Sequence, residues 1–290
     1  MPWLELRINT DRSNAPTQEY FLAKSGALSV TLQDNADQPI FEPALGETPL
    51  WKQTRVTGLF EADVDTKEIE LKLKLPEGSH FVWHILEDKD WEREWMTHYH
   101  PIKCSEKLWI CPSWTPPPQT DSINLILDPG LAFGTGTHAT TFLCLQWLSQ
   151  QSLSGNTVID YGCGSGILGI ASLLLGAENA LGIDIDPQAL IASQDNAERN
   201  KIDTSRFPVY FPDAYPATQA DIVVANILAG PLVELAQTLN AALKPKGKIC
   251  LSGILENQAE TVQAAYSSFI QFDPIQCKDD WVCLSGVKTR

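Results

Sequence analysis

Three glycines at spacing two, Gly162, Gly164 and Gly166, end the apolar run Val158-Ile159-Asp160-Tyr161 and lead into a helix-forming stretch over 167–175. Without Cβ atoms, a turn of this kind brings backbone close to a bulky ligand. A dinucleotide fingerprint asks for a further glycine where Ile167 stands, which disfavours pyrophosphate binding and a nicotinamide-dependent oxidoreductase. Asp184 closes the next apolar run, 22 residues after Gly162. A carboxylate at that point can accept hydrogen bonds from both hydroxyls of a ribose. Asp186 precedes Pro187 and reads instead as the N-cap of the next helix. Asn226 ends a third such run, Asp221–Ala225. Its amide can orient an amine for attack, and capping of the chain end is the alternative reading.

A further segment lies upstream, over residues 127–141, rich in glycine and threonine. It has no lysine after its glycines and is not a phosphate-binding P-loop. Its composition suits a mobile loop that folds over a ligand, with Thr141 at a helix start offering a hydroxyl and a backbone amide. His138 reads as structural more readily than as a base. Asp213 reads equally as an acceptor for an adenine amino group and as a solvated loop residue.

These residues need a frame. From 139 onward a helix over 139–149 and strands over 157–161, 180–184, 208–211, 222–225 and 248–252 alternate with helical stretches. That rhythm predicts an α/β fold, a mainly parallel, doubly wound sheet that binds ligands beyond the carboxyl ends of its strands. The first part reads differently: strands over 4–8, from 28, over 55–60 and over 81–86, with a helix over 16–24. Residues 66–75 suit a helix by position, but Glu68–Leu75 alternates in period two, leaving that element open. The pattern suggests a small α+β unit, βαββαβ. The expected division is 1–88 for this unit, 89–101 for a linker helix carrying Trp91 and Trp95, and 102–290 for the α/β unit.

The net charge of -15 is shared by both parts of the 290-residue chain. Such a surface counts against a nucleic-acid platform and suits a cationic partner such as a basic protein, or simply solubility. No apolar stretch is long enough to span a membrane and no secretory pattern opens the chain, so a cytoplasmic location is expected. The seven cysteines are scattered without a C-x-x-C pair and read as reduced thiols. His98 and His100 have no accompanying ligand set, and no metal is expected.

The glycine turn followed by Gly182-Ile183-Asp184 resembles class I methyltransferases. That resemblance implies S-adenosylmethionine as cofactor, its methionine part wrapped by the turn and its ribose held by Asp184. Asp160 matches the acidic position that faces the methionine ammonium or organises the loop. Asn226 resembles the Asn of the Asn-Pro-Pro-Tyr site of amino-methylating enzymes, although Ile227-Leu228 replaces Pro-Pro and Ala229 replaces the aromatic residue. That departure argues against a planar, stacked base as substrate. Taken with residues 127–141, Ala225–Pro231, Asp88–Trp95 and Leu108–Trp114, the chain resembles the PrmA-type bacterial methyltransferases of large-subunit ribosomal protein eleven over nearly its full length. The resemblance implies a Rossmann-like class I sheet, an N-terminal ferredoxin-like domain that grips the ribosomal protein, and methylation of that protein's N-terminal amine and lysines. Thr141, Gly162, Asp184 and Asn226 are the implied cofactor ligands, Asn226 also catalytic. Asp160, Gly164, Gly166 and the loop residues Phe133, Gly134, Thr135 and Gly136 complete the expected set. Rival readings are a methyltransferase of RNA or a small molecule, and a noncatalytic S-adenosylmethionine-binding module.

Overall fold

The computed structural model describes residues 2–36, 38, 40, 46–73, 80–87, 99–128, 134 and 136–289. The chain divides into two compact units, Met1–Met96 and Thr97–Arg290. In the first, β1 (Trp3–Asp11), α1 (Ala15–Lys24), β2 (Ser29–Asp34), β3 (Gln53–Glu61), α2 (Thr66–Lys72) and β4 (His80–Leu86) form an antiparallel sheet of order β2-β3-β1-β4. This is the βαββαβ, ferredoxin-like arrangement. Leu6 and Ile8 of β1 and Val56 and Phe60 of β3 alternate onto one face, where Leu22 of α1 and Ile69 of α2 close the core. The element left open is a helix over Thr66–Lys72, because Asp65 caps it by accepting from the amides of Lys67 and Glu68. Ile69 and Leu73 then share its buried face, and Leu71, which a buried strand face would have included, is exposed. The expected linker helix falls largely on residues 89–98, outside the described residues.

In the second unit a small sheet, β5 (Ile102–Lys103), β6 (Leu108–Cys111) and β7 (Ile123–Ile126), precedes α3 (Ala139–Ser149). The main sheet follows. Its strands are β8 (Thr157–Tyr161), β9 (Asn179–Ile183), β10 (Val209–Tyr210), β11 (Ala220–Asn226), β12 (Leu243–Leu255), β13 (Ile270–Phe272), β14 (Gln276–Lys278) and β15 (Trp281–Lys288). They run in the order β10-β9-β8-β11-β12-β15-β13, with β14 on β15. Strands β8 to β12 pair in parallel, whereas β15 is antiparallel to β12, β13 and β14. Helix α4 (Ile167–Leu174) follows β8, and α5 (Pro187–Arg199) follows β9. Beyond β11 come α6 (Ala229–Glu234) and α7 (Ala236–Ala242), and α8 (Ala259–Tyr266) follows β12. Two apolar layers result. Residues of α3 and α4 pack with Val158, Val224 and Cys250 on one face, and residues of α6, α7 and α8 pack with Ile159, Val223 and Leu251 on the other. The sequence runs outward from β8 through β9 to β10 on one side and from β11 to β12 on the other, so the order reverses between β8 and β11. At such a reversal the loops leaving two neighbouring strands part in opposite directions and open a crevice.

Candidate active site

Two loops border that crevice. The first leaves β8, where Gly162 and Cys163 donate their amides to the carbonyl of Ile183 at 2.7 and 3.0 Å, turning the chain over the end of β9. Gly162 has φ +77°, and a Cβ there would stand 2.1 Å from Cγ2 of Ile227 in the loop after β11. The turn and the Asn226 segment are therefore in direct contact at a point where only glycine fits. The amide of Gly164 donates to Oδ2 of Asp184 at 2.8 Å, and the amide of Asp186 donates to Oδ1 at 3.0 Å. Each carboxylate oxygen keeps a lone pair for a further donor. Asp186 itself accepts from the amide of Gln188 and caps α5, as its place before Pro187 predicted. Gly166 is a packing position, since a Cβ would meet Ser193 Oγ at 2.9 Å and Phe207 Cε1 at 3.0 Å.

Asn226 ends β11, half-buried. Its Nδ2 donates to Thr141 Oγ1 at 3.2 Å, while its Oδ1 is buried without a hydrogen-bond partner among the described residues. An orphaned buried acceptor is costly, and a donor entering the crevice would satisfy it. Thr141 is fully buried in the first turn of α3. His138 caps the same helix, accepting from the Thr140 amide, with its ring 4.8 Å from that of Trp281. Burial lowers its pKa, which suits a neutral capping acceptor. Gly134 accepts a hydrogen bond from Ser165 Oγ at 2.7 Å, tying the upstream loop to the glycine turn, and a Cβ on Gly136 would strike Ile110. Phe133 and Thr135 lie outside the described residues, as does His98. Asp213 is exposed.

Asp160 is fully buried beneath the turn, with Oδ2 accepting from the Gly169 amide at 2.8 Å and Oδ1 without a partner among the described residues. Burial pushes its carboxyl up to about 7 against the stabilising Gly169 amide, and the Asp184 charge adds to the rise. Between the ordinary carboxylate range and that value the folded chain holds a proton that the unfolded chain has released. Stability consequently falls as pH rises through this window, from the ordinary carboxylate range up to about 7, and levels off above it. Asp160→Asn is expected to remove that component. Urea unfolding of both proteins across the window measures it, and parallel slopes would show that Asp160 does not carry the proton.

Several contributors escape a reading by motif. Gly253, at a break in the β12–β15 register with φ +86°, leaves room for the Ile227 carbonyl, which a Cβ would approach to 2.3 Å. It seats the Asn226 loop from below. Ser193 Oγ and Asn196 Nδ2 of α5 donate to the carbonyls of Gly164 and Ser165 and brace the turn from the side. Ile185, Phe211 and Leu228 are apolar yet exposed just past the ends of β9, β10 and β11. Their only sequence signal is an apolar residue immediately beyond a strand, where solvent would favour a polar one.

A parallel sheet with this reversal, a glycine turn braced by an acidic residue on the next strand and an asparagine on the fourth defines a Rossmann-like class I methyltransferase unit. Comparison with known proteins agrees. The family model described as ribosomal protein L11 methyltransferase (PrmA) matches residues 2–289. The ribosomal protein L11 methyltransferase of Teredinibacter turnerae is 63% identical over 99% of this chain and 97% of its own length. That of Saccharophagus degradans is 58% identical over 99% of this chain and all of its own. Among solved structures, ribosomal protein L11 methylase from Lactobacillus delbrueckii subsp. bulgaricus superposes with a TM-score of 0.60 at 33% identity, covering 66% of this chain and 100% of that one. The chain belongs to the ribosomal protein L11 methyltransferase family and is an enzyme.

Proposed function

We propose that this enzyme transfers methyl groups from S-adenosylmethionine to the N-terminal α-amine and lysine ε-amines of ribosomal protein L11, in the cytoplasm, with the first unit recognising that substrate. The observation that carries this reading is the buried Asn226 Oδ1 at the crevice, without a partner among the described residues while Nδ2 bonds Thr141. The residues fit the cofactor: Asp184 retains lone pairs for a ribose diol, and the Gly162–Gly166 turn that its carboxylate braces would carry the amino-acid moiety beside it. Ile185 and Phe211 offer apolar faces beside Asp184 for an aromatic base.

S-Adenosylmethionine supplies a methyl group already activated on a sulfonium, and its thioether leaves without needing a proton. The protein's task is alignment. Asn226 Oδ1 accepts an N–H of the incoming amine and fixes its lone pair toward the methyl carbon. Only the neutral amine has that lone pair, and free lysine and α-amino groups titrate near ~10.4 and ~8. Desolvation in the crevice favours the neutral form. The acidic surface, net -15, draws a basic partner from solution. Among the described residues no helix is long and apolar enough to cross a membrane.

The test is transfer of labelled methyl groups to purified, unmethylated ribosomal protein L11, with ribosomal RNA and an unrelated basic protein as controls. Selective labelling of L11 at its amines is expected, and labelling of RNA alone would overturn the substrate. Asp184→Ala is expected to weaken cofactor binding by about 10- to 100-fold, since it removes a charged acceptor and frees the Gly164 amide. Calorimetry reads this directly, and unaltered affinity would take the ribose role from Asp184. Asp184→Asn keeps an acceptor for Gly164 and should fall between the two.

A further inference from the structure

We infer that Cys144, Cys250 and Cys283 form a three-coordinate site for trivalent arsenic in the core of the second unit. Cys144 lies on α3, Cys250 on β12 and Cys283 on β15, and all three are buried. Cys250 Sγ is 3.3 Å from Cys283 Sγ and 3.8 Å from Cys144 Sγ, and the three sulfurs all lie within 4.8 Å of one another. With bonds to sulfur of about 2.3 Å, sulfurs sharing one centre stand roughly 3.4 to 4.0 Å apart, so the trio is close to a ligating arrangement as it stands.

The surroundings select the centre. A structural zinc asks for four ligands, and no fourth His, Cys, Asp or Glu joins the trio among the described residues. Copper(I) accepts three thiolates but would leave net negative charge in the hydrophobic core that these cysteines share with Val224, Leu143 and Leu148, which an apolar interior opposes. Trivalent arsenic leaves none. Arsenous acid, As(OH)3, exchanges each As–O bond for an As–S bond, and each thiol proton departs on the released hydroxide as water. Three thiols are consumed, three waters are formed, arsenic stays trivalent and the product is neutral. Entry requires local opening of α3 from the sheet.

The site is tested on the full chain by refolding it with arsenite, removing excess, and measuring bound arsenic by intact mass and its ligand shell by X-ray absorption. One arsenic per chain with three sulfur neighbours is expected, unchanged in Cys277→Ser, whose thiol is exposed. Cys144→Ala, Cys250→Ala and Cys283→Ala should each abolish the three-sulfur shell while keeping the native circular dichroism. Absence of bound arsenic, a two-sulfur shell, or a three-sulfur shell that survives Cys144→Ala would overturn the inference. If an alanine variant fails to fold, the sulfur count on the unaltered chain decides.

Discussion

Asn226→Ala is expected to lower kcat for methyl transfer by roughly 10²- to 10³-fold while leaving cofactor affinity within about threefold, the size of effect seen when one preorganised polar group is removed from a reacting centre. The asymmetry follows from the geometry. Asn226 Nδ2 is engaged by Thr141, and Oδ1 has no protein partner among the described residues, so its hydrogen bond is available to a substrate. Single-turnover transfer to L11 and calorimetric titration of S-adenosylmethionine separate the two quantities. Unchanged turnover with collapsed affinity would make Asn226 a cofactor ligand only. Asn226→Asp sharpens the test, because a carboxylate keeps the acceptor but favours the charged ammonium, moving the rate profile to higher pH.

Gly162→Ala should be the most damaging substitution in the turn. Its φ of +77° is costly for any residue with a Cβ, about 1–3 kcal/mol, and that Cβ would stand 2.1 Å from Ile227. Ile227 must move, and it is bonded to Asn226. A displacement of this order at a reacting group costs about 100-fold in rate, so loss of activity is expected to exceed what lost stability alone explains. Gly162→Ala combined with Ile227→Ala removes the collision but not the backbone strain. The double variant should recover transfer while remaining less stable in urea. Equal activity in the single and double variants would mean that the contact does not position Asn226.

The parts of the site written in consecutive residues were legible. The turn 162–166 and Asp184 are neighbours because one ends a strand and the other ends the strand beside it, and the distinction between Asp184 and the capping Asp186 was carried by Pro187. The helix over 66–72 was obscured by its period-two apolar residues and is settled by Asp65, a cap that lies outside the pattern. What stayed hidden depends on residues distant in sequence. Nothing local announces that Gly253 makes room for Ile227, that Thr141 bonds Asn226, or that three cysteines spread from 144 to 283 converge. The antiparallel strands after 270 were equally silent, their pairing being decided by an edge left open on β12.

That late pairing sets a timetable for synthesis. The four strands of the first unit are complete by Leu86, but β15 must slot between β12 and β13 and comes about 200 residues later. At ordinary elongation rates this separates the two events by roughly 10 to 40 s. Throughout that interval a finished first unit is tethered to a second whose sheet still lacks the strand on which Trp281 meets His138 and Cys283 meets Cys250. The newborn enzyme thus completes its ferredoxin-like unit well before its methyltransferase sheet can close.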